Sequence, residues 1–163
     1  MQLKNNNNRE ILVIDNPNIN DFEEVIKLLN VVFSKFPGNR TYLAKDAQDK
    51  ISHLPNPKIF LIKDKDIIIA FAICYERYPN YYHIWQLGVL EEYRGSGYGK
   101  ALYEKVEKTA QDLEYKGVTM NTFNKFANNL VLAISRGYKI YGLEKTEGNM
   151  DPKILLKLEF SRP

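Results

Sequence analysis

Cysteine is nearly absent from this chain of 163 residues, and long apolar runs and any strong excess of one charge are missing. A single cysteine, Cys74, excludes an internal disulfide and fits a reducing compartment. Nowhere do 18 apolar residues run together, so no membrane span is expected. The start, MQLKNNNNRE, has no apolar stretch to act as a secretion signal, and a cytoplasmic location is expected. The 23 Lys and Arg nearly cancel the 20 Asp and Glu, a net charge of +3 that makes no demand for nucleic acid as a partner. There is no repeat at solenoid spacing. The low-complexity piece is the asparagine run at 5–8, whose side chains compete with the backbone for hydrogen bonds and predict a frayed start over 1–8. With 44% apolar and 26% charged residues the composition is globular, and the length predicts one domain over 1–163.

Periodicity then places the elements. REILVID reads as a first strand. In NDFEEVIKLLNVVFSKF, Phe22, Val25, Ile26, Leu29, Val32 and Phe33 recur at spacings of three and four, one apolar helical face with Asn20 or Asp21 as N-cap and Pro37-Gly38 as the stop. RTYLAKDAQDKISHL is a more polar helix stopped by Pro55 and Pro57. KIFLIKDKDIIIAFAICYERY divides into two β-rich runs about KDKD, a hairpin, and YYHIWQLGVL is a third. After a glycine-rich stretch, Leu102, Val106, Ala110 and Leu113 line a helix in which Glu104 can pair with Lys108 and Gly117 serves as C-terminal cap. VTMNTF is a strand, NNLVLAISR a short helix ended by Gly137, and YKIYGLEKT and ILLKLEF are closing strands. The order β-α-α-β-β-β-α-β-α-β-β predicts one mixed α/β (α+β) sheet domain.

The stretch that carries chemistry is LGVLEEYRGSGYGKALYEKVEK, residues 87–108. Glycine lets a ligand approach the main chain closely. A helix opens with amide hydrogens that have no internal acceptor, and its dipole adds roughly half a positive charge there. Glycines leading into a helix therefore make a pocket for phosphate, with Arg94 and Lys100 beside it. A dinucleotide motif fails, because the third glycine of G-x-G-x-x-G would stand at Lys100. A Walker loop fails as well, with Arg94 at its leading glycine and Ala101 at its hydroxyl. The bland alternative is a glycine-rich turn with no ligand.

The pattern [QR]-x-x-G-x-[GA] fits without a miss at Arg94, Gly97 and Gly99. In this context, between an apolar strand and an amphipathic helix, the segment resembles the GNAT superfamily of N-acetyltransferases, and the element order extends the resemblance over about residues 11–160. The resemblance implies a mostly antiparallel mixed sheet of about seven strands flanked by about four helices, split between the fourth and fifth strands. It implies acetyl-CoA as cosubstrate, with no metal, and a primary amine of a small molecule or peptide as acceptor, attacked directly in a ternary complex. The pyrophosphate would be held by the amides of Gly95, Ser96, Gly97, Tyr98, Gly99 and Lys100 next to Arg94, and the pantetheine arm by Leu87, Gly88 and Val89. Gly88 suits a bulge or close backbone approach, and the amide of Leu87 would hold the thioester oxygen. Dimers through the late strands occur among such proteins, so a homodimer is a further expectation.

The second family signature, N-x-x-A-x-x-x-Y-x-x-x-G-[FY], is looser here. NKFANNLVLAISRGY offers Asn124, Ala127, Gly137 and Tyr138, but four residues before Gly137 stands Ala133 where the acid tyrosine belongs. Asn124 or, preferably, Asn128 would reach the coenzyme. Tyr138 or Tyr141 could serve as acid, against the alternative of a packed or surface tyrosine. For the base, His83 lies four residues before Leu87, on the same face if alternation is unbroken, and its intrinsic pKa is suitable. The alternatives are a histidine that merely packs, Glu76, or a water. Trp85 would line the core or the acceptor groove, and Cys74 reads as an apolar filler. Two other functions stay open at this level: an acyl-CoA-binding regulatory module without turnover, and a nucleotide-binding protein. Nothing in NVVFSKFPGNRTYLAKDAQDK translates into a particular acceptor.

Overall fold

Two apolar cores lie on the two faces of a seven-stranded sheet. They emerge from a computed structural model that describes residues 10–36, 38, 40–147 and 149–161; Pro37 and the start expected to fray lie outside these. The strands are β1 (Ile11–Asp15), β2 (Lys58–Asp64), β3 (Ile67–Tyr78), β4 (Tyr81–Val89), β5 (Gly117–Thr122), β6 (Lys139–Thr146) and β7 (Asn149–Glu159). Their order is β1-β2-β3-β4-β5-β7-β6, antiparallel throughout except for β4 beside β5. The helices are α1 (Ile19–Phe33), α2 (Ala44–Ile51), α3 (Tyr98–Asp112) and α4 (Ala127–Ser135). Element order and type are those the sequence predicts. No helix among the described residues is long and apolar enough to cross a membrane.

Helix α1 buries Phe22, Val25, Ile26, Leu29 and Val32 against Ile59, Leu61, Phe71, Ile73 and Tyr75. Full burial of each such side chain contributes about 1.5–3 kcal/mol. Its cap is Asn18, two residues earlier than expected: Asn18 accepts from the Asp21 amide while Asp21 reaches back to the Asn18 amide. On the opposite face, Leu102, Tyr103, Val106 and Ala110 of α3 and Ala133 of α4 pack on Phe60, Ala72, Met120 and Leu156. The expected hairpin forms between β2 and β3 about Lys65, at φ 57°.

Three local expectations on α3 need correction. Leu113 is half-exposed rather than part of the buried face. Glu104 faces Arg136 of α4 at 3.6 Å, and Lys108 turns to Asp112, so the Glu104–Lys108 pair does not form. Gly117 is the first residue of β5, not a helix cap; a Cβ there would meet the Leu158 carbonyl oxygen at 2.1 Å, and the left-handed turn falls on Glu114.

Two irregularities in β4 shape everything that follows. First, Ile73 pairs with Gln86 and Cys74 with Ile84, which makes Trp85 the extra residue of a bulge. The bulge lies three residues before Gly88, where the sequence reading put it. Gly88 is bare for a different reason: a Cβ there would sit 2.9 Å from both Phe71 and Val32. Gly88→Val is therefore expected to lower stability by about 1–3 kcal/mol through overpacking. An unchanged urea midpoint would show that α1 gives way freely. Second, β4 pairs with β5 only from Tyr81–Gly117 to Ile84–Met120. Beyond that point β4 stays with β3 as far as Val89, and β5 stays with β7 as far as Thr122. The sheet forks.

Candidate active site

A cleft of about 1230 Å³ occupies the fork. That exceeds the usual range for a small-ligand pocket, about 300–1,000 Å³, and leaves room for two molecules. Phe33 and Phe36 beyond α1 meet Phe126 ahead of α4, at centroid separations of 5.4 and 4.7 Å, and so span the gap between its two sides.

One arm is built by β4, the turn after it and the N-termini of α3 and α4. The Leu90 amide donates to the Ile69 carbonyl at 2.8 Å. In an antiparallel ladder alternate residues bond the same neighbour, so Gly88 and Gln86 bond β3, while Leu87 and Val89 turn their main-chain groups toward the fork. Val89 fits this: its carbonyl accepts from Arg94 Nε at 3.0 Å. Arg94 also reaches the Val32 carbonyl at 3.4 Å, tying the turn to β4 and α1. After a 3₁₀ turn at Glu91–Tyr93, Gly95 (φ 78°) and Gly97 (φ 85°) take the left-handed conformation that glycine favours, and α3 begins at Tyr98. The first helical bond runs from the Ala101 amide to the Gly97 carbonyl. The amides of Gly99 and Lys100 ahead of it have no acceptor inside the helix, and the first turn holds no acidic residue. Gly99 packs closely on Leu132 of α4, where a Cβ would lie 3.3 Å from its Cδ2. Gly95, Gly97, Tyr98, Gly99 and Lys100 line the cleft with Leu87, Gly88, Val89 and Arg94; Ser96 stands exposed on the turn and does not.

Asn128 lines this arm, whereas Asn124 is turned away and donates to Asp151 Oδ1 at 2.8 Å. Tyr138 is not brought to the cleft either. It is buried with its hydroxyl donating to Glu107 Oε2 at 3.2 Å, in a cluster where Arg136 Nε donates to the same carboxylate at 3.0 Å. That cluster ties α4 to α3, which is why a polar tyrosine stands at the helix end. Tyr141 lies half-exposed on β6, away from the lining. A lining hydroxyl that sequence reasoning missed is that of Tyr103 on α3, which donates to Asn129 Oδ1 at 2.7 Å and whose pKa is raised by burial. Its helical spacing among apolar neighbours hid it, because core tyrosines have the same spacing.

The other arm lies on the α1–α2 face. The bulge at Trp85 breaks the alternation, so His83 shares this face with Tyr75, ring centroids 5.6 Å apart, while Leu87 faces α3. His83 lines the cleft but is 1% exposed, and its Nδ1 is 2.9 Å from Thr119 Oγ1. Burial, helped by the positive charges of Arg77, Lys50 and Lys153, pushes its pKa down to about 3. Such an imidazole stays neutral at working pH and holds a proton too weakly to serve as the expected base. Glu76 is no substitute, since it lies outside the lining and accepts from the Asn80 amide. Trp85 does line the groove, edge-on to Tyr42 at 5.5 Å with Lys50 Nζ 4.5 Å above its ring. Cys74 is buried in the α3 core, and burial raises its pKa.

A family model described as the acetyltransferase (GNAT) family matches residues 22–132. No curated protein sequence matches the chain. Solved structures similar to it include a Bacillus anthracis protein assigned as a streptothricin acetyltransferase, in complex with acetyl coenzyme A: 22% identity, TM-score 0.62, covering 69% of this chain and 67% of that one. The Escherichia coli ribosomal-protein-S18-alanine N-acetyltransferase is similar over 94% of this chain and 96% of its own, with 14% identity and a TM-score of 0.76. The Salmonella typhimurium protein yncA, solved with its cofactor acetyl-CoA, is similar over 94% and 96%, with 10% identity and a TM-score of 0.70. At these identities the likeness is one of fold.

Proposed function

Because this chain belongs to the acetyltransferase (GNAT) family, whose model spans more than half of it, we propose that its forked sheet transfers the acetyl group of acetyl-CoA to a primary amine by direct attack. The observation that carries this reading is the pairing of the glycine turn that opens α3, with Gly95 and Gly97 left-handed, with a strand edge left open beyond Ile84. The amides of Gly95, Gly97, Gly99 and Lys100, which line the cleft, fit a diphosphate, which the helix dipole favours by about 0.3–2 kcal/mol. Asn128 stands at the same end of the cleft. The main-chain groups of Leu87 and the amide of Val89 fit the amides of a pantetheine arm, pairing as a further strand would. Two structural relatives were solved with acetyl-CoA, which supports this assignment.

Acetyl-CoA supplies an activated thioester carbonyl. The Leu87 amide, aimed into the fork, holds the charge that develops on that oxygen as the amine attacks. A C–N bond forms to the acetyl carbon, the C–S bond breaks, and the coenzyme leaves as a thiolate that takes up a proton from water. The proton lost by the amine passes to water. No strong base is needed when the amine arrives in its neutral, nucleophilic form.

Purified protein should be protected against heat by acetyl-CoA more than by ATP or NAD, and should release coenzyme thiol when amines are added. Protection without thiol release on any amine would reduce the chain to a coenzyme-binding module. Better protection by a nucleotide would overturn the reading.

A further inference from the structure

Within the lining of the cleft, among the described residues, there is no aspartate or glutamate. Cations enter the α1–α2 arm from separate elements: Arg40 ahead of α2, Lys50 on α2, Arg77 on β3 and Lys153 on β7. Each is positioned by a different local contact. Arg40 sits 4.6 Å over the Tyr42 ring, and Lys50 sits over Trp85. Arg77 falls at a second register shift, between Glu76 and Tyr78, and with the Asn121 amide oriented to satisfy its neighbours, Nη1 donates to the Asn121 oxygen at 2.8 Å. A guanidinium has further donors beyond that bond. Lys153 has Glu144 of β6 at 3.8 Å, a carboxylate outside the lining. Arg77, Lys50 and Lys153 all line the cleft with His83, and their charges help to lower its pKa. The same charges act on Lys50 itself: desolvation first, then Arg40, Arg77 and Lys153, lower its pKa. An array of like charges whose nearby carboxylate, Glu144 at 3.8 Å from Lys153, lies outside the lining is unfavourable until an anion enters it. Arg94 and Lys100, beside the glycine turn, belong to the coenzyme arm and do not supply that anion's partner.

We propose that the acceptor is an amine that also carries a negative group, a carboxylate or a phosphate, received by Arg77, Lys50 and Lys153 beside Trp85. This rests on the transferase reading above and adds the substrate class. The cations grip the anionic end, and the amine is left facing the thioester across the fork. Polyamines and polycationic antibiotic amines are disfavoured, because each further positive charge meets these three. Arg is suited to bidentate recognition of either anion, and Lys adds point charge.

The test is thiol release from acetyl-CoA by the full chain with matched acceptors: amino acids against their carboxamides, glucosamine 6-phosphate against glucosamine, and spermidine as the cationic control. The expected result is that kcat/KM for the charged member of at least one pair exceeds its neutral partner by about tenfold or more, the factor that corresponds to one charge-assisted contact. Which pair responds separates carboxylate from phosphate. In Arg77→Gln and in Lys153→Gln the preference should shrink several-fold, with KM for acetyl-CoA unchanged. Lys153 is the second variant because its side chain is not bonded to Asn121. Equal or better use of the neutral partners, or spermidine as the best acceptor, would overturn the inference and leave the transferase standing. Binding of acetyl-CoA with no acceptor turned over would also count against it. Absence of acetyl-CoA binding would take both readings down together.

Discussion

Gly97→Asp should weaken acetyl-CoA binding by about a hundredfold or more while leaving the protein folded. Gly97 is the N-cap of α3, and its left-handed φ of 85° is strained for a side chain. Away from glycine that conformation costs about 1–2 kcal/mol, least for Asn and Asp. A carboxylate at a helix N-terminus returns about 0.3–1 kcal/mol through the dipole, so the net change in stability is expected to stay within about 1 kcal/mol. For the coenzyme the effect has one sign. The new carboxylate occupies the place proposed for a diphosphate and repels it; two lost charge-assisted contacts, at about 1.5–3 kcal/mol each, correspond to at least two decades of affinity. Titration calorimetry with acetyl-CoA, alongside the urea midpoint of the variant, checks both halves. Unaltered affinity in a folded Gly97→Asp protein would remove the glycine turn from the coenzyme site.

Acidification should destabilise the protein through His83 by about 3 kcal/mol between pH 7 and pH 4. The folded-state pKa is about 3, below the ordinary value of 6.5, because burial penalises the charged ring and three cations add to that penalty. The unfolded chain binds a proton as pH falls through 6.5, while the native protein does not do so until near 3. In that window the unfolded state carries more protons, so stability rises with pH. His83 thus contributes stability that is fully present above 6.5 and is lost as pH falls toward 3. At about 1.4 kcal/mol per unit, acid to pH 4 removes most of it. Urea unfolding of wild type and His83→Gln at both pH values isolates the residue. The wild type should lose about 3 kcal/mol more than the variant; parallel losses would mean that the buried ring titrates normally.

The same histidine shows how far local pattern carries. Alternation along β4 puts residues 83 and 87 on one face, and only an intervening extra residue could separate them. The bulge at Trp85 does so, yet it is defined by pairing with Ile73 and Cys74 on another strand, and nothing in YYHIWQLGV marks it. Gly88 is the mirror case. Its bareness was legible, but its reason lies in Phe71 and Val32, from elements apart in sequence.

Element order, the apolar faces of the helices apart from Leu113, and the glycine turn at residues 95–100 were readable from the chain, because spacing and φ preference act within a few residues; the caps of α1 and α3 were not. The extent of the β4–β5 pairing, the withdrawal of Tyr138 and Asn124 to Glu107 and Asp151, and the low basicity of His83 came from the folded structure. So did the meeting of Lys50, Arg77 and Lys153 from α2, β3 and β7. Burial and charge at a point are sums over everything packed around it, and residues that are neighbours in that sum are scattered along the chain.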